Sequence, residues 1–361
     1  MLAETIGSSF PSNDYPEETG QMMKSNSKRA AIVIALALIA VTGPANADPA
    51  DFYKGKTFEI LVGFSAGGGY DAYARALARG IGKYIPGNPT VVVKNMAGAG
   101  SLRMAMFLQD AAPRDGLTIG TMDPGLQITP LIKPDTASFN ASKLTWIGSI
   151  AKNTYVCASW HTGRVKTVDD LLKAESAFGV TGKDDVRYMN TAILKNLLGA
   201  KIKIVSGYPG SNDVRLALER GEIDGECDGW NSLQATKADW LRDNKLTILA
   251  QMTLAKHPDL PNTPVVAELV KDKTQKAALE FLIAPQESGR PFAAPPGIPA
   301  DRATALRRAF DATMRDPDFL AYAKQATLDV EPTTGEQVES LIREIYKATP
   351  EVVELARKAI D

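Results

Sequence analysis

Residues 57–81, TFEILVGFSAGGGYDAYARALARGI, constrain the fold more than any other stretch of the chain. A β-branched and aromatic run (Phe58, Ile60, Leu61, Val62, Phe64) stops at Ser65-Ala66-Gly67-Gly68-Gly69, and a helical pattern carrying Ala74, Leu77, Ala78 and Ile81 begins at once. A buried strand that feeds a glycine loop opening a helix leaves backbone N–H groups without intrahelical partners. Those groups aim at one spot, and the helix dipole makes that spot favourable to an anion.

Upstream lies the layout of a secretory signal peptide. Lys24, Lys28 and Arg29 precede the apolar run Ala30–Val41, and Ala45-Asn46-Ala47 offers a small-residue cleavage pattern. The run is short of the roughly 20 apolar residues that span a membrane. Residues 1–21 are polar and carry Glu4, Asp14, Glu17 and Glu18, which makes Met22 or Met23 a candidate for the true start. No cysteine precedes Cys157, so a lipid anchor at the cleavage site is excluded. The expectation is export to the periplasm. An exported protein that opens with an anion cradle points to capture of a solute rather than to chemistry on a nucleotide.

Once residues 1–47 are removed, acidic and basic side chains balance, close to the net charge of −1 of the whole chain. There is no basic field for nucleic acid and no basic helix for a membrane surface. The length exceeds one comfortable core and suits two lobes. Cys157 and Cys227 can close a disulfide in an oxidising compartment or pack as two buried thiols, and the thiols are the reading favoured from sequence. His161 and His257 stand alone, so no zinc site of thiolate and imidazole, and no cofactor, is expected.

The first lobe reads as alternating strands and helices: Thr57–Phe64, Tyr70–Ile81, Thr90–Lys94, a helix from an N-cap at Ser101 through Ala111, and Leu117–Thr121. Leu144–Ser159 is one apolar stretch, long enough to leave that lobe and enter another. A second alternating series follows, and the proline-rich segment Gly289–Ala300 marks the return. Three C-terminal helices then close the chain, with a capping box at Thr334 and Gln337 and an N-cap at Thr349 before Pro350. Their apolar faces are expected to pack on the first lobe. The expected fold is α/β and two-lobed, each lobe a mainly parallel sheet flanked by helices. The first lobe comprises residues 48–150 and 288–361, the second 151–287, with a cleft between them.

Three owners compete for the glycine loop. Gly63-Phe64-Ser65-Ala66-Gly67 fits the nucleophile elbow of α/β-hydrolases, but too little chain precedes it to supply that fold's earlier strands. Gly67-Gly68-Gly69-Tyr70-Asp71-Ala72 fits a dinucleotide fingerprint, yet the second strand ends in Lys94 and Asn95 where an acidic ribose partner belongs. An anion cradle remains, beside the plainer reading in which the glycines only permit close strand–helix packing. Asp71 reads as a cap and as the ion-pair partner of Arg75.

Five ordered segments, FSAGGGYDAYARAL, NMAGAGS, DGLTIGT, GYPGSNDVRLALERGEIDG and PFAAPPGIPADRATALRRAF, resemble the substrate-binding receptors of tripartite tricarboxylate transporters, the Bug family. The resemblance runs from about Phe52 to Leu341. It implies a type II periplasmic-binding-protein fold, no catalysis, and delivery of a small organic anion, often a carboxylate, to membrane permease subunits by a monomeric receptor. Presentation of the ligand to a signalling partner is the alternative, and a secreted serine hydrolase comes third.

Carried over by position, the resemblance places one half of the ligand site at Ser65, Ala66, Gly67, Gly68 and Gly69, with Tyr70 beside it. The other half falls at Tyr208, Pro209, Gly210, Ser211 and Asn212. Thr121 and Asp123, and the loop holding Thr181, Lys183 and Asp184, are expected to line the sides. That loop departs from the family's small-residue pattern, and its carboxylates disfavour a second carboxylate unless Lys183 and Arg187 neutralise them. Asp228 and Trp230 are further candidates.

Overall fold

The computed structural model describes residues 49–134 and 139–361, so the expected signal peptide and its cleavage site lie outside the described residues. After a short helix α1 (Pro49–Tyr53), strand β1 (Thr57–Val62) passes through the glycine loop into α2 (Gly69–Ile81). Then come β2 (Thr90–Asn95), α3 (Leu102–Asp110), β3 (Thr118–Thr121), α4 (Thr129–Ile132) and β4 (Thr145–Ser149). Phe58, Ile60 and Val62 alternate inward from β1 to meet Ala74, Leu77 and Ile81 of α2, as the periods of two and of 3.6 require. Ser101 stands at the N-cap of α3 as expected, but its hydroxyl makes no capping bond and instead accepts the Asp123 N–H at 2.9 Å.

The apolar stretch from Leu144 divides between two sheets. β4 stays in the first, and β5 (Tyr155–Trp160) opens the second. The second series continues as α5 (Val168–Lys173), β6 (Ser176–Val180), α6 (Val186–Leu197), β7 (Ile202–Ser206), α7 (Ser211–Glu219) and β8 (Gly225–Gly229). Helices α8 (Trp230–Thr236) and α9 (Ala238–Arg242) lead to β9 (Leu246–Gln251), and α10 (Val266–Leu269) and α11 (Lys273–Ile283) complete that part. The chain returns through β10 (Pro291–Ala294), α12 (Ala300–Thr313), α13 (Pro317–Gln325) and β11 (Thr333–Thr334), and ends in α14 (Gly335–Ile345) and α15 (Pro350–Ile360).

The six-stranded sheet has the order β11-β4-β10-β3-β1-β2 and the five-stranded sheet β7-β6-β8-β5-β9. Each is mixed. β2-β1-β3 and β7-β6-β8 are parallel, as right-handed strand–helix–strand units demand, whereas β4, β10, β11, β5 and β9 join antiparallel. In each sheet a strand next to the crossing, β4 or β5, runs antiparallel between two strands that share one direction and are joined through helices, β10 and β11 or β8 and β9.

Two expectations change. Four helices rather than three follow Pro299, and they do not all cover the first sheet. Leu306 and Phe310 of α12 and Met314 just after it do so, and Val338 and Ile342 of α14 pack with Trp146 and Ala293. Ile345 and the α15 stripe Val353, Ala356 and Ile360 instead join Met189, Ile193 and Leu279 over the second sheet. The apolar stripe of α15 finds there the uncovered faces of α6 and α11. Cys157 and Cys227 are not free thiols either: they face each other in the β5–β8 register, fully buried, and form a disulfide. Strand register decides this, and register is not written in the spacing of the two residues. Among the described residues, no helix is long and apolar enough to cross a membrane.

Candidate functional site

Two helix entrances meet end to end. Helix α2 has Gly68 at its N-cap and α7 has Gly210, and in neither does a side chain cap the helix. A β-carbon placed on Gly67 would lie 3.6 Å from Asn212 Nδ2, and one on Gly68 would lie 3.6 Å from Ser211 Cβ. Ser65 N–H donates to the Pro209 carbonyl at 3.2 Å, and the Ser65 hydroxyl to the Asp213 carboxylate at 2.5 Å. Gly69 is also tightly packed: a β-carbon there would come within 2.6 Å of Ser232 Oγ and 3.1 Å of Arg290 Nη2. The packing role of the glycines and the cradle role are therefore both present. Positive dipole ends that face each other repel unless negative charge sits nearby.

Behind the loops lie buried arginines. Arg187, in the first turn of α6, donates through Nη2 to Ser211 Oγ and to Asp228 Oδ1, both at 2.7 Å, and sits over the Phe64 ring. Arg290, just before β10, donates through Nη2 to Asn231 Oδ1 at 2.7 Å and lies 4.4 Å above the centre of the Tyr70 ring. In both guanidinium groups Nε and Nη1 are buried without a hydrogen-bond partner, as is the Tyr155 hydroxyl. Buried donors left unused cost about 1–3 kcal/mol each, more on a charged group. Such a cluster is built to receive an acceptor. Arg215 of α7 is spent differently, on Glu226, Asp228, Ser232 and Thr236.

Acids thread between these cations. Asp123, fully buried after β3, accepts N–H groups of Gly125 and Val186 at 2.9 Å each and lies 3.8 Å from Arg187 Nη1. Burial raises its pKa, and the Arg187 charge opposes the rise. Burial also works against the Asp228 carboxylate, but Arg187 and Arg215 outweigh it and hold its pKa below the usual value. Asp185 caps α6 through Tyr188 N–H and accepts the Thr181 hydroxyl. Burial, reinforced by the charge of Asp123, pushes it up to about 7. Burial takes Glu226 to about 7 as well, against the pull of Arg215.

Most residues expected at the site come together here: Ser65 to Tyr70, Asp123, Thr181, Gly210, Ser211 and Asp228. Tyr70 is buried, stacked on Phe64, with its hydroxyl 3.4 Å from Asp123 Oδ2. Thr121 is buried in β3, its carbonyl accepting the Gly63 N–H. Four others lie elsewhere, Lys183, Asp184, Trp230 and Tyr208. Lys183 is exposed and pairs with no carboxylate among the described residues; Lys133 does so, bonding the Lys183 carbonyl at 3.1 Å and the Asp184 carboxylate at 2.7 Å in a strap at the rim. Trp230 faces away and donates to Asp259. Tyr208 is half-exposed and packs near Gly179 rather than into the arginine cluster. The Ser65 hydroxyl is bonded to a carboxylate, and His257 lies in a different cavity.

The sequence reading passed over Arg215 and Arg290. Arg215 carried a signal, since it stands between Val214 and Leu218 on the face that the helical period assigns to the core. Arg290 sits in an irregular proline-rich segment, where no period exists to flag it.

A profile described as "Tripartite tricarboxylate transporter family receptor" matches residues 73–356. The chain belongs to that family of receptors, whose members include the Bug proteins. BugT of Bordetella pertussis is 25% identical over 256 residues, covering 68% of this chain and 74% of BugT. The solved structure of the periplasmic binding protein BugD superposes with a TM-score of 0.66 at 21% identity, over 85% of this chain and 98% of BugD. MatC from Rhodopseudomonas palustris, solved with bound malate, superposes at 0.65 with 17% identity, over 84% of this chain and 99% of MatC. At such identities the two structures speak for the receptor's two-lobed periplasmic-binding-protein fold.

Proposed function

We propose that this receptor captures a small carboxylate between its two sheets in the periplasm and hands it to membrane permease subunits of a tripartite transporter. The observation that carries the reading is the convergence of two helix entrances, uncapped by side chains, on a buried cluster where Arg187 and Arg290 each keep two donor nitrogens unspent. Such donors, desolvated and fixed in place, favour an anion far more than the same groups in water. Family membership supports the class of ligand, and MatC with malate and a second neighbour solved with adipate make dicarboxylates the first to try. Binding would draw the lobes together, and the closed form is what a permease would recognise.

Calorimetry with malate, adipate and aromatic monocarboxylates tests this directly, with Gly68→Asp as the diagnostic variant. An aspartate at that N-cap suits the helix, so the protein stays folded while a fixed negative charge enters the cradle. Binding should be lost with the melting temperature preserved. Unchanged affinity in Gly68→Asp would remove the cradle from the site.

A further inference from the structure

Asp123 uses its two carboxylate oxygens unequally. Oδ1 is fully engaged: it accepts the Gly125 N–H, as the N-cap of the short turn 124–127, and the Val186 N–H, at 2.9 Å each. Both bonds serve the fold, one locally and one between the sheets. Oδ2 has no comparable partner. The Tyr70 hydroxyl stands 3.4 Å from it and 3.4 Å from the Gly289 carbonyl, and its one proton cannot serve both. Arg187 Nη1 lies 3.8 Å away, beyond hydrogen-bond reach, and is itself buried without a partner. A fully buried carboxylate oxygen that receives so little is short of a donor.

The surroundings say what kind of donor is wanted. Asp123 Oδ2 and Arg187 Nη1 set an acceptor and a donor side by side, next to the Tyr70 ring that Arg290 covers. A carboxylate on the guanidinium with a hydroxyl on its neighbouring carbon bridges that gap, the hydroxyl donating to Asp123. An unsubstituted acid leaves Oδ2 unmet, and a 2-oxo acid turns a second acceptor toward it. An ammonium in the same position lies against the positive charges of Arg187 and Arg290, both of which act on Asp123. The fitting donor is neutral.

We infer that Asp123 Oδ2 is a specificity determinant of this site and selects a 2-hydroxy carboxylate over the 2-oxo, 2-amino and unsubstituted acids. The inference rests on the carboxylate-capture reading above and adds what must stand beside the carboxylate. A site that buries an acceptor for a hydroxyl rejects ligands lacking that hydroxyl, because the acceptor then stays unpaired. One oxygen of Asp123 thus holds the turn and the neighbouring helix in place, and the other reads the ligand.

The test is calorimetry on matched acids: lactate with pyruvate, alanine and propionate, then the same four forms of glutarate and of phenylacetate. In at least one series the hydroxy acid should bind about ten- to a hundredfold more tightly than the 2-oxo acid, with the unsubstituted acid between them. Asp123→Asn identifies the atom. Its amide oxygen must stay on the Gly125 and Val186 N–H groups, which an amide nitrogen cannot accept, so Nδ2 takes the place of Oδ2 and an acceptor becomes a donor. The hydroxy-to-oxo preference should then fall to near unity or reverse, a change that a purely capping Asp123 does not produce. Equal affinities within every series, a tighter 2-amino acid, or an unaltered preference in folded Asp123→Asn would overturn the assignment; if that variant fails to fold, the wild-type order decides alone. Binding of adipate with no binding of any hydroxy acid, malate included, sinks the assignment and leaves the carboxylate reading standing, whereas no binding of any carboxylate sinks both.

Discussion

The Asp123 carboxylate accepts the Val186 N–H at 2.9 Å, so a residue that ends a strand of the first sheet satisfies the opening turn of a helix in the second. This is a bond between lobes made by a buried anion. It exists only while the sheets are together, and therefore contributes to closure rather than to the stability of either sheet.

Asp123→Ala should shift the unliganded protein toward an open form and raise its radius of gyration in X-ray scattering. Malate affinity should fall about tenfold or more, since a hydrogen bond to a charged group is worth roughly 1.5–3 kcal/mol. Asp123→Asn keeps an acceptor and should recover much of the loss. If Asp123 acted chiefly as a charge repelling the ligand, both substitutions would tighten binding instead.

Gly210→Ala tests the contact from the other side. The backbone at Gly210 is extended (φ −173°), a conformation any residue adopts, so the second sheet should fold normally. Its β-carbon, however, would stand 2.4 Å from Ser65 Oγ and 3.1 Å from Ser65 N. Closure then requires displacement of the Ser65 loop. The melting temperature without ligand should change little, while malate affinity drops at least about tenfold. Equal affinity in calorimetry would mean that the two loops need not touch when ligand is bound.

How much of this was legible in the sequence follows from range. The glycine loop, the helix caps at Thr334 and Thr349, and the pairing of Asp71 with Arg75 are contacts within a few residues, where periodicity and residue type suffice. Register, by contrast, decides that Cys157 faces Cys227, and tertiary packing decides that α15 leaves the first sheet for α6 and α11. Lys183 and Lys133 illustrate the same limit at the site. The nearer lysine in sequence points to solvent, and one 51 residues from Asp184 makes the ion pair. Arg290 was out of reach because an irregular segment offers no face on which a charge looks misplaced.

The disulfide closes a loop of 70 residues inside the second sheet. On the chain-entropy account this restricts the unfolded state by about 4 kcal/mol, with engineered and native examples commonly delivering about 2–4. Cys157→Ala/Cys227→Ala should therefore lower the denaturant midpoint of the oxidised protein markedly. Reduction of the wild type should do the same, and reduction of the double variant should do nothing. Malate affinity should remain, because the cysteines lie in the hydrophobic core and not against Arg187 or Arg290. A double variant as stable as the oxidised wild type would show that the bond constrains little.

Stability should also depend on pH in an unusual sense. Asp185 and Glu226 are raised by burial to about 7, Asp185 further by Asp123, and Glu226 against Arg215. In the unfolded chain such carboxyls titrate near about 4. Between these limits the folded state binds more protons than the unfolded one, so the contribution of both groups is fully present below about 4 and is lost as pH rises through about 7. Asp228, held low by Arg187 and Arg215 despite its burial, works the other way, and its contribution disappears only at strongly acidic pH. The melting temperature should therefore rise as pH falls from 7.5 to 5.5, by several degrees, since one such group crossing one pH unit is worth about 1.4 kcal/mol and each kcal/mol moves a domain of this size by roughly 2–4 °C. Asp185→Asn and Glu226→Gln should each flatten part of that slope, and the pair together most of it. A wild-type melting temperature that falls on acidification over this range would show that these carboxyls are ionised in the folded protein, and that Arg187 and Arg215 dominate the buried cluster.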